Sequence, residues 1–267
     1  MESGPVHASA QSGFSRGAAT YAKGRPDYPG AVQALLTQTL GLTGGRHIAD
    51  VGAGTGKFTR LLLQTGAHVT AVEPVANMRQ VLEQTLAAEP QWAQRLNVLE
   101  GTAQALPLPS VSMDAVCCAQ AFHWFASRET LNEFARVLKP DGWLVLVWNE
   151  RDHTVDWVNA LTRMMAPYEG TAPRFHTGAW RAPFPHHAFG ALHEQVFAYQ
   201  HVGTPEQVLV NRTLSISFIA ALPQAEQDQL RQQMAALIDT SPALRGRSEI
   251  AYPYTTRVFY AQRLAVG

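Results

Sequence analysis

The sequence predicts an α/β fold in which a mainly parallel sheet is covered by helices on both faces. Three observations carry that expectation. Short apolar runs alternate with amphipathic stretches from residue 47 to residue 148. A glycine turn, Gly52-Ala53-Gly54-Thr55-Gly56, joins the first run to the stretch that follows it. The chain has 267 residues, 46% of them hydrophobic and 16% charged, enough to bury one large core, or one domain with a substantial elaboration. Strands that alternate with helices lie parallel because each crossover helix packs back onto the sheet.

Taken in order, residues 1–12 read as a tail, and Phe14 to Pro29 mixes aromatic, glycine and basic residues. Val32, Leu35, Leu36 and Leu40 have the spacing of one helical face, so Ala31–Leu40 is predicted helical and closed by Gly41. His47–Val51 is a strand; Phe58, Leu61 and Leu62 mark the helix after it. His68–Val72 is a second strand, followed by a helix carrying Met78, Val81, Leu82 and Leu86. Leu96–Leu99 and Met113–Ala119 are further strands, and Glu129–Leu138 is helical. Lys139-Pro140-Asp141-Gly142 reads as a turn into the strand Trp143–Trp148. Beyond Asn149 the pattern loosens: residues 150–190 read as an insertion or lid, Leu222–Ile238 as a helix, and Glu194–Val202 and Tyr252–Arg263 as closing strands.

Composition excludes several functions. Lys+Arg 21 balance Asp+Glu 21, and the basic residues are scattered, so a nucleic-acid partner is not expected. No run approaches the length of a membrane span, and no signal-peptide core is present, so no membrane partner is expected either. Cys117 and Cys118 are adjacent in an apolar run, which suits neither a relaxed disulfide nor a zinc site and points to a reducing, cytoplasmic setting. His186, His187 and His193 lack the spacing of a zinc motif, so no metal is expected. A monomer or homodimer is the expected state.

The glycine turn is the sharpest signal. A P-loop fails, because Phe58 follows Lys57 and Val51 stands where the first glycine belongs. A dinucleotide fingerprint is weakened, because glycines 52, 54 and 56 give GxGxG with Lys57 at the third glycine's place. S-adenosylmethionine (SAM) needs a tight turn but no pyrophosphate cradle. It also needs an acid at the end of the second strand to receive two ribose hydroxyls, and Glu73 stands there.

These blocks, with Glu73-Pro74 and Met78, Gly101-Thr-Ala-Gln-Ala-Leu, and Ala135-Arg-Val-Leu-Lys-Pro-Asp-Gly142, resemble a class I SAM-dependent methyltransferase over about residues 46–149. Ala119-Gln-Ala-Phe-His-Trp-Phe125, the Phe14…Tyr21…Arg25-Pro-Asp-Tyr-Pro29 stretch, Trp148-Asn-Glu-Arg-Asp152 and Pro253-Tyr-Thr-Thr resemble the small-molecule subgroup that includes trans-aconitate methyltransferase-like proteins. The resemblance implies a Rossmann-like, doubly wound, seven-stranded mixed sheet, its last strand antiparallel, with a helical lid over the carboxyl edge. It further implies a cap in 1–30, a SAM-binding core in 31–149, a lid with one returning strand in 150–245 and the final strand in 246–267.

By resemblance, Gly52, Ala53 and Gly54 pass under the methionine and ribose, and Asp50 orients the loop or the amino group. Glu73 holds the ribose, Pro74 and Met78 pack on adenine, and Thr102 and Ala103 border its edge. Many relatives carry Asp at the place of Thr102, a stronger acceptor for the adenine amino group. Ala119 and Gln120 close over the methionyl end, and Tyr21 or Arg25 reaches a carboxylate from the N-terminal segment.

Methyl transfer from a sulfonium asks the protein to position, desolvate and, where needed, remove a proton. Phe122, His123, Trp124 and Phe125 follow the strand that ends at the same crevice, and are expected near the methyl group. His123 is the candidate base. The reading preferred for it is a hydrogen-bonded or pocket-shaping histidine, because a strong nucleophile needs no base. Trp148, Asn149 and Arg151 are placed to line an acceptor pocket, with Arg174 and Arg181 as weaker candidates for an acidic substrate. The acceptor is expected to be a small molecule, methylated on oxygen, with nitrogen or sulfur as alternatives. A nicotinamide-dependent oxidoreductase or a non-catalytic SAM-binding protein is the competing reading.

Overall fold

A computed structural model describes residues 24–170 and 173–265. Tyr21 and the aromatic Phe14 lie outside the described residues. A seven-stranded sheet with the order β3-β2-β1-β4-β5-β7-β6 organises the chain. Its strands are β1 (His47–Val51), β2 (His68–Val72), β3 (Leu96–Leu99), β4 (Met113–Ala119), β5 (Leu138–Arg151), β6 (His193–Gly203) and β7 (Ile250–Gln262). β1 to β5 pair parallel, and β7 runs antiparallel between β5 and β6. The expected mixed sheet with an antiparallel final strand is thus observed.

The central strands are apolar throughout because both faces are covered. Along β4, Val116 and Cys118 enter one core while Ala115 and Cys117 enter the other. Alternation therefore sends the two adjacent thiols to opposite faces, and burial pushes both well above the usual thiol range. One face is covered by α1 (Gly30–Ala34, continued by a wider turn over Leu35–Thr39) and α2 (Lys57–Gln64). The opposite face receives α4 (Arg128–Val137), whose Ser127 side chain caps the helix by accepting from Thr130 N. Between them in sequence, α3 (Ala76–Leu82, continued over Glu83–Ala87) connects β2 to β3.

The chain steps outward from β1 to β2 to β3, then returns to lay β4 on the other side of β1. That reversal is the switch point of the sheet, where a crevice opens at the carboxyl ends of β1 and β4. A third core forms beyond the carboxyl end of β5. There α5 (Asp156–Met165) and α8 (Gln224–Thr240) pack with the turns of α6 (Glu206–Asn211, continued by Arg212–Leu214) and α7 (Ser217–Ala220) against Tyr252 and Tyr254. β7 reaches this core because its pairing with β5 starts at Arg151↔Tyr254, leaving Ile250–Pro253 to project past β5.

One expectation needs correction. Lys139–Gly142 is not a free turn: β5 already pairs at Met113↔Leu138, bulges, and resumes at Ala115↔Trp143, with Asp141 at φ 61°. Within residues 150–190, Trp157, Val158, Leu161 and Met165 form the buried face of α5. Among the described residues no helix is long and apolar enough to cross a membrane.

Candidate active site

The crevice at the switch point begins with the glycine turn. Gly52 and Ala53 donate their N–H groups to Val72 O at 2.9 and 3.3 Å, so the turn is fastened to the end of β2. Gly52 has φ 73°, and a Cβ there would meet Ala121 Cβ at 2.7 Å. Gly54 has φ 58°, yet a Cβ there would meet nothing within 4 Å. The first glycine answers to packing against the β4 loop, the second to a bare backbone beside open space.

Glu73 is only 6% exposed. Its Oε2 accepts from Gly54 N at 2.9 Å and its Oε1 from Val75 N at 2.9 Å. Burial raises its pKa, and these two N–H donors together with the Arg79 charge oppose the rise. Two backbone bonds leave further lone pairs on the carboxylate for a ligand's hydroxyls.

Asp50 is buried at the end of β1, where Thr59 Oγ1 donates to its Oδ2 at 2.6 Å. Burial pushes this acid up to about 7, against the Thr59 bond and assisted by the negative charge of Glu73. Its Oδ1 has no hydrogen-bond partner among the described residues, and neither do Thr55 Oγ1 and Thr102 Oγ1. All three residues line the crevice. Unmet buried polar atoms are costly, so three among the residues that line one crevice mark a surface suited to polar groups from a ligand.

Pro74, Val75 and buried Met78 also line the crevice, an apolar shelf suited to a flat ring. At the carboxyl end of β4, Gln120 takes φ 56°, its N–H donates to Val147 O at 2.8 Å and its side chain donates to Asn149 O at 3.3 Å. A non-glycine residue held left-handed at a crevice mouth is strain of the kind that clusters at functional sites. The segment from Arg25 to Tyr28 crosses the opening. Asp27 pairs with Lys57 at 2.8 Å, Tyr28 packs edge-on against Phe58 at 4.9 Å, and Arg25 donates to Ser215 O at 3.2 Å.

A second chamber adjoins the first and shares Arg25, Gln120, Trp124, Asn149 and Arg212 with it. Arg25, Arg151, Arg174 and Arg212 line it, with His123, His153 and His176 and the acids Glu150 and Glu169. Both acids are already engaged, Glu150 by Arg257 at 2.9 Å and Glu169 by Arg174 at 3.1 Å. His123 Nδ1 accepts the indole N–H of Trp148 at 3.1 Å. Burial, together with the charges of Arg174, Arg25 and His176, lowers His123 to about 3, so the ring is neutral.

Residues 49–146 match the family model described as a methyltransferase domain. Over 253 residues the chain is 34% identical to an uncharacterised methyltransferase-like protein of Schizosaccharomyces pombe, covering 94% of this chain and 95% of that one. It is 35% identical to an uncharacterised methyltransferase of Mycobacterium bovis over 244 residues, 91% of this chain and 92% of that one. The chain is a class I SAM-dependent methyltransferase. Solved structures agree on the fold of this methyltransferase. A candidate type II methyltransferase from Anaeromyxobacter dehalogenans superposes with a TM-score of 0.64 at 20% identity, covering 91% of this chain and 99% of that one. A Haemonchus contortus phosphoethanolamine N-methyltransferase in complex with SAM gives 0.54 at 16% identity, covering 96% of this chain and 57% of that one.

In the methyltransferase, Arg25, Asp50, Gly52, Ala53, Gly54, Glu73, Pro74, Met78, Thr102, Ala103, Ala119 and Gln120 all line the crevice. His123, Trp124, Trp148, Asn149 and Arg151 line the second chamber. Phe122 lines neither. It is fully buried, packed against Phe125, Phe134 and Phe184, because the tight turn Phe122–Trp124 points it under the sheet and brings Phe125 to the crevice instead. Arg181 also lies outside both chambers, stacked on Trp180 at 4.4 Å, whereas Arg174 lies inside the second. The rings of His186 and His187 lie 4.4 Å apart, tilted by 36°. Sequence reasoning missed Arg212, which is buried, donates to the Tyr254 hydroxyl at 3.0 Å and touches both chambers. No local pattern marks it, since its place depends on a tyrosine on β7.

Proposed function

We propose that this methyltransferase transfers the methyl group of SAM to an oxygen of a small acidic molecule. The observation that carries the reading is the pair of joined chambers: one edged by a glycine turn and a strand-end acid, the other walled by arginines. The first fits SAM by its own chemistry. Glu73 offers acceptors to the ribose, Asp50 Oδ1 to the ammonium and Thr102 Oγ1 to the adenine amino group, while Pro74, Val75 and Met78 take the ring. When bound, SAM supplies a methyl group on a cationic sulfur that is already activated toward a nucleophile.

The protein's share is placement and dryness. Trp124 and Phe125 exclude water at the junction and present aromatic surface favourable to a cation. Gln120, held by Val147 and Asn149, borders both chambers and fixes their separation. The arginines of the second chamber favour an acceptor that carries negative charge. In this reading residues 24–30 border the crevice, 31–149 hold SAM, 150–245 cover the acceptor and 246–265 complete the sheet, while the rest of the expected cap over 1–30 lies outside the described residues.

The test is a screen with SAM labelled in the methyl group, offering carboxylates, phenols, amines and thiols of similar size. Label in acid-stable ester or ether products of anionic acceptors is expected. Label confined to amines or thiols contradicts the oxygen assignment, and label in no small molecule contradicts the acceptor class.

A further inference from the structure

We propose that His123 serves the acceptor as a hydrogen-bond donor through Nε2–H, locked in that tautomer by the indole of Trp148, and takes no proton from it. The inference rests on the reading that the second chamber receives the acceptor.

An indole nitrogen can only donate, so the nitrogen that accepts from Trp148 at 3.1 Å must carry a lone pair. A neutral imidazole with its lone pair on Nδ1 carries its hydrogen on Nε2, and a nitrogen bearing hydrogen cannot act as a base. The ring could reverse roles only if Trp148 moved or gave up its bond. Trp148 is 1% exposed and wedged among Phe175, Trp180 and Phe259 at 4.8, 4.7 and 5.8 Å. A stranded indole N–H in that cluster would be an unmet buried donor.

The charges facing His123 act in the same direction. Arg174, Arg25 and His176 oppose a positive ring, and the chamber's two carboxylates are held by Arg257 and Arg174. Arg174 supplies a second donor. Its Nε binds Glu169 and its Nη1 binds Pro173 O, and the guanidinium lies over the rings of Trp124 at 5.6 Å and Phe218 at 4.7 Å. Its Nη2 is buried with no partner among the described residues. A wall that donates at two fixed points, with Glu150 and Glu169 both engaged by arginines, suits an oxyanion. The oxyanion's oxygen provides the electron pair of the new O–C bond, the S–C pair returns to sulfur, and no proton has to leave. His123 is then a positioning and specificity residue.

The test uses the whole protein labelled with 15N in histidine, with S-adenosylhomocysteine added. Two-bond proton–nitrogen spectra identify each ring's tautomer, and His123→Gln assigns the signal. His123 is expected as the Nε2–H form, unchanged between about pH 5 and 8, where an ordinary histidine gains and loses its proton. Trp148→Phe is expected to release that fixed pattern. Adding succinate as an anionic probe should shift the Nε2–H resonance in the wild-type protein. In calorimetry, succinate should bind His123→Gln, which can still accept and donate, within about 3-fold of wild type, but His123→Phe about 10-fold more weakly. An Nδ1–H ring, or one that titrates near pH 6.5, overturns the donor role even if the enzyme methylates an acid. A correct tautomer with no response to succinate overturns its service to an oxyanion and leaves the SAM reading standing.

Discussion

The carboxylate of Glu73 accepts the backbone N–H of Gly54 at 2.9 Å, so the acid ending β2 clasps the glycine turn that ends β1. Its other oxygen holds Val75 N, at the entrance to α3. One buried side chain therefore links the carboxyl ends of β1 and β2 beside the crevice, and the turn is shaped by the protein's own hydrogen bonds.

Removing that clasp should loosen the turn. Glu73→Gln preserves volume but puts an amide N–H where one carboxylate oxygen accepted a backbone hydrogen. A loss of about 1–3 kcal/mol in stability is expected, read by urea unfolding, with faster hydrogen exchange confined to Gly54 and Val75. Unchanged exchange at both positions would show that the turn stands without Glu73.

Asp50 gives a pH dependence with a definite sign. The native state keeps its proton up to about 7, whereas the unfolded chain releases it near 4. Native Asp50 thus binds more protons across that window, and stability falls as pH rises from about 4 to about 7, then levels. Asp50→Asn should flatten the slope and at pH 8 exceed the wild type by up to about 4 kcal/mol, while binding SAM about 10-fold more weakly. Denaturant midpoints taken across that pH range, with calorimetry at its upper end, check both halves.

The two glycines of the turn should separate folding from binding. Gly54→Ala meets open space, so its cost is the left-handed backbone alone, about 1–2 kcal/mol, with SAM binding lost to the intruding methyl group. Gly52→Ala adds a clash with Ala121 and should cost more than about 3 kcal/mol. Thermal melts rank the pair, and equal melting points would contradict the packing argument.

Arginines inside and outside the second chamber should behave differently. Arg174→Met keeps much of the stacking bulk and removes the charge, and is expected to raise the acceptor KM about 10-fold or more with SAM affinity little changed. Arg181→Ala, outside both chambers, should leave both constants at wild-type values. Steady-state kinetics with the acceptor found by the labelled-methyl screen decides between these outcomes.

The core of the fold was legible because its signals are local. A strand, its glycine turn and the acid 21 residues beyond Gly52 lie close in sequence, and alternation of strand and helix dictates the parallel sheet. What depended on distant packing was not. Phe122 and Phe125 have the same character in the sequence, and only the tight turn between them decides which is core and which lines the crevice. Arg212 owes its place to Tyr254, 42 residues away. Lys139–Gly142 looks like a loop because a bulge uses the same residues as a turn, although strand pairing already begins at Leu138.

The most direct measurement is a calorimetric titration of SAM into the wild-type protein and into Glu73→Ala. Stoichiometric binding that weakens by about 10- to 100-fold in the variant is expected, because the charged acceptor proposed for the ribose is gone. Equal affinity in the two proteins, or no binding to the wild type, would contradict the assignment of this crevice to SAM.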